Sequence, residues 1–403
     1  MHDIRHDIII VGGGMVGLSL ACGLAQQTAL SIAVLEAHPI SDAWSEDAYH
    51  HRVSAIALSS RRIFQSLNIW EFIKKKRVSP FTHIKVWDAA KQGEIQFDSN
   101  DIAESVLGYI VENNLIQAAL LEKLSQYPQI RYFAPVELCD VQMHDKHANV
   151  HLADGRVLTT KLVVAADGAH SWLRNKVGIA VKKLSYDQEA IVATVRTSVP
   201  HNKTAQQVFL STGPLAFLPL AESHTSSIVW SLPTAEARRL MALDDADFMV
   251  ALSSSRNDGV VQSVQQRFSF PLQKQQAAQY IKPRIALVGD AAHVIHPLAG
   301  QGVNMGLLDA ASLVDVIEDA LTHQRDFASF ATLRRYERWR KADNQSMLTG
   351  VDLIKQLFAS EKRSVQSWRS FGLSATNQLK MLKNFFSRQA VGNRVGLPRL
   401  ANY

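Results

Sequence analysis

The chain has 403 residues, 47% of them hydrophobic and 20% charged, with a net charge of +6. That length and balance predict two intimately joined domains with ample core, and they exclude disordered, fibrous and disulfide-stapled classes. Cys22 and Cys139 lie too far apart in sequence to suggest a framework or a zinc spacing, and no run of about 18 apolar residues is present to span a bilayer.

The first strand is expected at residues 8–11, an uninterrupted apolar run of the kind buried in parallel sheets. Gly12, Gly14 and Gly17 follow in G-x-G-x-x-G spacing. Gly12 permits the tight turn, Gly14 lets a pyrophosphate approach the backbone, and Gly17 lets the next helix pack on the sheet. That helix, about 15–27, points its first N–H groups at the phosphates. Residues 32–35 form the second strand, and Glu36 ends it, where an acid accepts from both hydroxyls of an adenosine ribose. Glu36 repels a 2′-phosphate, so the site prefers FAD or NAD to NADP; the motif does not separate FAD from NAD. Cys22 falls on the apolar helix and reads as a small buried hydrophobe.

Residues 38–52 read as loop, followed by a helix from 52 through 70. Arg52, just before it, suits a pyrophosphate or is simply a surface arginine. Strands are expected at 83–87 and 95–97, and residues 107–113 lead into a helix at 114–124 that carries Gln117. A hairpin turns at Asp154-Gly155. A buried strand, 162–166, then ends at Asp167-Gly168, which is either a plain turn or a binding turn at the carboxyl edge of a parallel sheet.

Between 185 and 280 the pattern becomes β-rich, with strands at 190–195, 206–210, 215–220 and 227–232. Two helices, 234–243 and 245–252, follow, with Thr234 as the expected N-cap. A last buried strand, 284–290, ends at Gly289-Asp290, where a carboxylate accepts from sugar-like hydroxyls. Gly300, Gly302 and Gly306 free the backbone before a helix at 307–321. His293 and His296 read as loop or capping residues, not metal ligands. Beyond 334 the chain is helical, with an apolar stripe from Leu348 to Phe358 that packs on core, partner or membrane. Positive charge gathers at Lys74 to Arg77 and in 361–403, where eight Lys/Arg meet one acid. With no nucleic-acid module, those basic segments are solvated faces or contacts for anionic lipid or an acidic protein.

The three blocks, Gly12 to Gly17 with Glu36, Asp167-Gly168, and Gly289-Asp290 with Pro297 and Gly300-Gln301-Gly302, together resemble the FAD-dependent aromatic hydroxylases of the para-hydroxybenzoate hydroxylase type. Finer likeness, in Arg52 to Ala55, Gly108 to Asn113, Gly213 to Leu220 and Ser227 to Pro233, points to the ubiquinone-biosynthesis branch, nearest to 2-polyprenylphenol 6-hydroxylases. Sibling enzymes act at other ring carbons with similar motifs.

The resemblance implies an α/β fold. A Rossmann-like FAD-binding domain would comprise 1–78, 101–182 and 281–344. An inserted antiparallel substrate domain would comprise 79–100 and 183–280, with a helical region at 345–403. It also implies site roles. Gly12, Gly14 and Gly17 would hold the ADP pyrophosphate and Glu36 the adenosine ribose. Arg52 and Gln117 would meet the flavin phosphate and ribityl region. Asp167 would serve FAD and NADPH, Gly289 and Asp290 the ribityl chain, and Gly302, Val303 and Asn304 the isoalloxazine edge. Phe217, Pro219 and Pro297 are assigned to a substrate pocket facing the flavin. No catalytic side chain and no metal is assigned.

The implied chemistry is hydroxylation of a polyprenylphenol by NAD(P)H and O₂ through a C4a-hydroperoxyflavin. A protein in the cytoplasm, peripheral on the inner face of the membrane or in a biosynthetic complex through its basic C-terminal region, is expected; a homo-oligomer is left open. The competing readings are a flavin-free lipid-binding scaffold on the same fold, a related hydroxylase for another aromatic, and a polyprenyl reductase. A flavin halogenase would carry Trp-x-Trp-x-Ile-Pro, whereas residues 229–233 hold one tryptophan.

Overall fold

Ile8, Ile9 and Ile10 have no exposed surface: their strand, Ile4–Val11, has parallel neighbours along both edges, and the side chains on both of its faces are packed into the main core. A strand covered on both faces has no use for polar alternation. The computed structural model describes residues 4–39, 44–89, 93–255, 259–296, 300–359 (the last ten as backbone), 392 and 396–402. Ile4–Val11 sits inside an eight-stranded sheet, ordered Ile281–Lys282, Ile285–Leu287, Val157–Ala165, Ile4–Val11, Ile32–Leu35 and Ile130–Phe133. Ala148–Leu152 and Leu138–Met143 extend it on the hairpin side. Helices Met15–Gln27 and Gly302–Thr322 pack on each other, and Asn113–Leu124 packs beside the first.

A second, nine-stranded sheet is mostly antiparallel. It runs His293–Val294, Phe268–Ala277, Val181–Thr197, Thr225–Pro233, Gly213–Pro219, Thr204–Leu210, His83–Asp88 and Glu94–Asp98, with Val261–Val264 paired beside Val181–Thr197. One of its faces is covered by helices Thr234–Met241 and Asp245–Ser254. A three-stranded sheet, Val53–Ile56, Gly108–Glu112 and Ser79–Phe81, completes the set.

Four local expectations change. Residues 53–56 are a strand, not the start of a helix, because they pair with Gly108–Glu112, more than fifty residues away in sequence. The helix begins afterwards, as Leu58–Ser66. Val157–Ala165 is one strand that leaves the hairpin and enters the parallel core without a break. Thr234 is the first helical residue rather than the N-cap, a position taken by Pro233. The helix expected at 307 starts at Gly302, so Gly302, Val303 and Asn304 form its first turn. Among the described residues no helix is long and apolar enough to cross a membrane.

Candidate functional site

The glycine turn is shaped by what lies against it. A Cβ on Gly12, at φ +111°, would stand 2.3 Å from the Ala166 carbonyl oxygen, and one on Gly17 would stand 2.0 Å from the Gly12 carbonyl oxygen. Only hydrogen fits at either position. Gly14 differs: nothing lies within 4 Å of its would-be Cβ, and the residue is exposed. Its space opens at the N-terminus of Met15–Gln27, whose first turn has no side-chain cap. Glu36 accepts from the Gly13 N–H at 2.7 Å and the His38 N–H at 3.0 Å. Gln117 donates to the Gly13 carbonyl at 2.9 Å. Strand end, turn and the Asn113–Leu124 helix are thereby tied together.

Asp167 lies directly behind this turn, its backbone nitrogen 2.8 Å from the position a Gly12 Cβ would take. Its Oδ2 accepts from the Leu173 N–H at 3.1 Å, while its Oδ1 is buried without a partner. Burial raises its pKa, against hydrogen bonds from Ser171 and the backbone.

The third block arrives from the far side. Val16, in the first turn of Met15–Gln27, packs against both Gly289 and Gly306: would-be Cβ atoms on these would stand 3.3 Å and 2.7 Å from its methyls. One valine thus touches the turn after Ile285–Leu287 and the Gly302–Thr322 helix. Asp290 is reached by solvent, yet protein surrounds its carboxyl closely enough for burial to raise its pKa, opposed by His293 and Arg52. An exposed carboxyl with that much protein around it stands in a recess of the surface, close to His293 and Arg52. Gly302–Thr322 begins without a side-chain cap, and Asn304 clamps its start to the Val53–Ile56 strand. The amide donates to the Ala55 carbonyl at 2.8 Å and accepts from the Ala57 N–H at 3.0 Å.

These features fit FAD. A bare glycine opening, two uncapped helix N-termini, an orphaned Asp167 oxygen and the Asp290 carboxylate are the donors and acceptors that a pyrophosphate and sugar hydroxyls require. Among the described residues no group of three or more His, Cys, Asp or Glu is arranged to hold a metal.

Arg52 precedes a strand rather than a helix and projects toward the second sheet, its guanidinium 5.3 Å from the Phe270 ring centroid. His51 stacks on Phe268 at 4.0 Å. Directly paired residues share a face, so the register extends this surface across the sheet. Phe268, Val192, Val229 and Ala216 stand in one row, and Phe270, Ala190 and Ser231 in the next. Most of these side chains are half-buried. Arg52, whose charge bears on Asp290, thus stands at the same time against this largely apolar row of the second sheet.

Phe217 does not belong to that row. It is 3% exposed and packs with Ile191, Ile228, Trp230 and the helix residues Leu240 and Phe248. The period of two along Gly213–Pro219 sends Phe217 and Pro219 to the helix-covered face and Ala216 and Leu218 to the other, where Leu218 packs against the cluster of Phe81, Ile102 and Leu107. The expectation that Phe217 and Pro219 line a pocket does not fit their burial, Phe217 being packed under the two helices. Pro297 lies outside the described residues.

Three further groups organise the site without a motif to announce them. Arg174, 1% exposed, donates to the Ala291 and Ala169 carbonyls at 2.9 and 3.0 Å, joining the second block to the third. Glu112, buried, accepts from Arg77, Trp44 and the His50 N–H and so shapes the loop before Arg52. Arg77 is thus no part of a free basic patch. Asp309 is fully buried on Gly302–Thr322. Its signal in the sequence was an acid in the middle of an apolar helical stripe.

Comparison with known proteins agrees with this geometry. A family model described as FAD binding domain matches residues 5–350. The 3-demethoxyubiquinol 3-hydroxylase of Escherichia coli K12 is 35% identical across 97% of this chain and 98% of its own. The mitochondrial ubiquinone biosynthesis monooxygenase COQ6 of Homo sapiens is 35% identical across 94% and 91%. In fold, the chain is similar to p-nitrophenol 4-monooxygenase PnpA from Pseudomonas putida DLL-E4, with a TM-score of 0.78 at 17% identity, covering 98% of this chain and 100% of that one. The chain belongs to the FAD binding domain family, among its FAD-dependent ubiquinone-biosynthesis hydroxylases.

Proposed function

We propose that this enzyme hydroxylates the ring of a polyprenylated phenol or quinol on the route to ubiquinone, taking electrons from NADPH or NADH and oxygen from O₂. The observation that carries the substrate class is the apolar row of Phe268, Val192, Val229 and Ala216 beside Phe270, where the guanidinium of Arg52 stands while its charge bears on Asp290. Bound FAD supplies the reduction of O₂ and transfer of one oxygen atom to an aromatic ring.

The protein's part is position and dryness. The glycine turn and the first helix take the pyrophosphate, with Glu36 on the adenosine ribose. Arg52 and Gln117 take the phosphate and ribityl region, Asp167 serves FAD and the nicotinamide nucleotide, and Asp290 takes the ribityl chain from the turn that Gly289 opens, the Gly289 N–H being engaged by Asp309. Gly302, Val303 and Asn304 offer backbone donors at the ring edge. The apolar row excludes water from the reacting ring. A phenol is electron-rich already, so we assign no catalytic base. The crevice and its flanks correspond to 1–78, 101–182 and 281–344, and the sheet of the apolar row to 79–100 and 183–280. The ring position we assign is that of 2-polyprenylphenol 6-hydroxylases.

A polyprenyl chain is insoluble in water, so substrate must come from a bilayer surface or a carrier complex. We assign that contact to the basic stretch of 361–403, most of which lies outside the described residues. The described end, however, is structural. Leu397 and Leu400 are buried, and Ser66 donates to the Leu400 carbonyl at 2.9 Å. Deleting 361–391 while keeping 392–403 should lower binding to anionic vesicles without loss of FAD; unchanged vesicle binding removes the assignment.

The test of function is an FAD titration followed by anaerobic NADPH reduction, with and without a short-chain 2-polyprenylphenol. Substrate-accelerated reduction, and a product heavier by one oxygen once air enters, are expected. Flavin uptake without product from any prenylphenol would overturn the substrate assignment. No flavin uptake would leave a lipid-binding scaffold.

A further inference from the structure

Asp309 lies one layer behind the crevice, at the junction of four segments. Each carboxylate oxygen takes two donors. Oδ2 accepts from the Gly289 N–H at 3.1 Å and His293 Nε2 at 2.6 Å. Oδ1 accepts from Arg340 Nε at 2.8 Å and Asn344 Nδ2 at 3.1 Å. That fills the acceptor capacity of an ionised carboxylate. Arg340 is itself 1% exposed and donates onward to Asp343 and Asn344. Burial pushes the Asp309 carboxyl up, but His293 and Arg340 outweigh it and hold the group ionised.

The placement of these donors is informative. Gly289 stands at φ +59°, a left-handed turn, and its peptide N–H is spent on Asp309. The next residue is Asp290, whose carboxyl lines the crevice. At the other end of the short turn, His293 is also spent on Asp309. The 289–293 turn is therefore pinned at both ends to a single carboxylate, which two residues of Phe330–Ala359 hold from behind.

We propose that Asp309 and His293 are positioning residues for flavin binding: they fix the 289–293 turn so that Asp290 presents its carboxylate to the ribityl hydroxyls. This rests on the assignment of Asp290 to the ribityl chain. A fixed acceptor binds with less ordering cost than one that must be immobilised on contact. Loosening the turn should weaken FAD binding through Asp290 alone, leaving the glycine turn and Glu36 unaffected.

The experiment is a double-mutant cycle on FAD affinity, read by flavin fluorescence quenching, with the melting point of each apoprotein measured alongside. Asp290→Asn should weaken FAD binding about tenfold, the worth of one hydrogen bond to a charged group. His293→Leu removes one pin and should weaken it about fivefold, whereas His293→Gln, whose Nε2 can replace the imidazole donor, should return to within about twofold. The double variant, Asp290→Asn with His293→Leu, should bind no more weakly than Asp290→Asn alone, because the two act through one carboxylate.

Additive losses, or wild-type affinity in His293→Leu, would overturn the positioning role while leaving Asp290 in place. Wild-type affinity in Asp290→Asn would instead overturn the ribityl assignment itself. If His293→Leu does not fold, Asn344→Ala, which removes one donor from the far oxygen and spares Gly289, enters the same cycle; additivity there overturns the proposal equally.

Discussion

Along the Gly12 to Gly17 turn Gly12 and Gly17 each answer to one particular atom, whereas along Gly213–Pro219 what matters is the parity of the position. Gly12 is confined by the Ala166 carbonyl and Gly17 by the Gly12 carbonyl, contacts so short that no other residue fits. In the second sheet, Ala216 and Phe217 are adjacent in sequence, yet one is half-buried on the face shared with Val229 and Phe268 and the other is sealed beneath two helices. The glycine turn is specified by residue identity, the second sheet by register. The first kind of information survives in a short motif; the second exists only once strands have paired.

The sharpest way to break this contrast is Gly12→Ala. The added methyl meets a backbone oxygen at 2.3 Å on a left-handed turn, and the apoprotein should lose at least ~3 kcal/mol or fail to fold. Gly14→Ala is the control inside the same motif. With nothing within 4 Å, its apoprotein stability should stay within ~0.5 kcal/mol, while FAD affinity falls at least tenfold as the methyl enters the phosphate space. Equal damage to both apoproteins would remove the distinction between packing glycine and ligand glycine.

Parity predicts the next largest effects. Phe217→Ala should lower stability by about 3 kcal/mol, read by chemical denaturation, with the substrate KM unchanged. Ala216→Phe should leave stability near wild type but cut prenylphenol-stimulated NADPH oxidation about tenfold, by filling the half-buried face. The opposite pattern would mean that the sheet turns its other face to the substrate.

The buried carboxylate behind the crevice gives a pH signature. The Asp309 pKa is lowered from 3.8 to about 2 by His293 and Arg340 against its burial. A depressed carboxylate stabilises the fold above its unfolded pKa and loses that contribution as pH falls through the folded one. Roughly 2 kcal/mol should therefore disappear between about pH 4 and pH 2. The loss should be absent in Asp309→Asn, measured by denaturant midpoints across that range. The smallest effect belongs to the surface. Arg399 pairs with Asp315 and Glu318 but is more than half exposed, so Arg399→Ala should cost under ~1 kcal/mol.

The sequence by itself determined the parallel core, the glycine turn with Glu36, the two Asp-bearing strand ends and the β-rich character of 185–280. Each is written in local form, as a buried apolar run, a fixed glycine spacing or an acid at a strand terminus, and local patterns are legible one segment at a time. Tertiary structure decided what depended on a distant partner. Residues 53–56 became a strand only because Gly108–Glu112 lies beside them. Asn304 reaches Ala55 and Ala57 across nearly 250 positions, and Arg174 joins two blocks 117 residues apart. Phe217 lies on the covered face because alternation gives a strand two sides and only the helices packed on one of them decide which is sealed. Asp309 stood in plain view as an acid in an apolar stripe, but its meaning required Gly289, His293, Arg340 and Asn344 to converge on it. A buried charge is tolerated only where such partners meet, and only the folded chain brings them together.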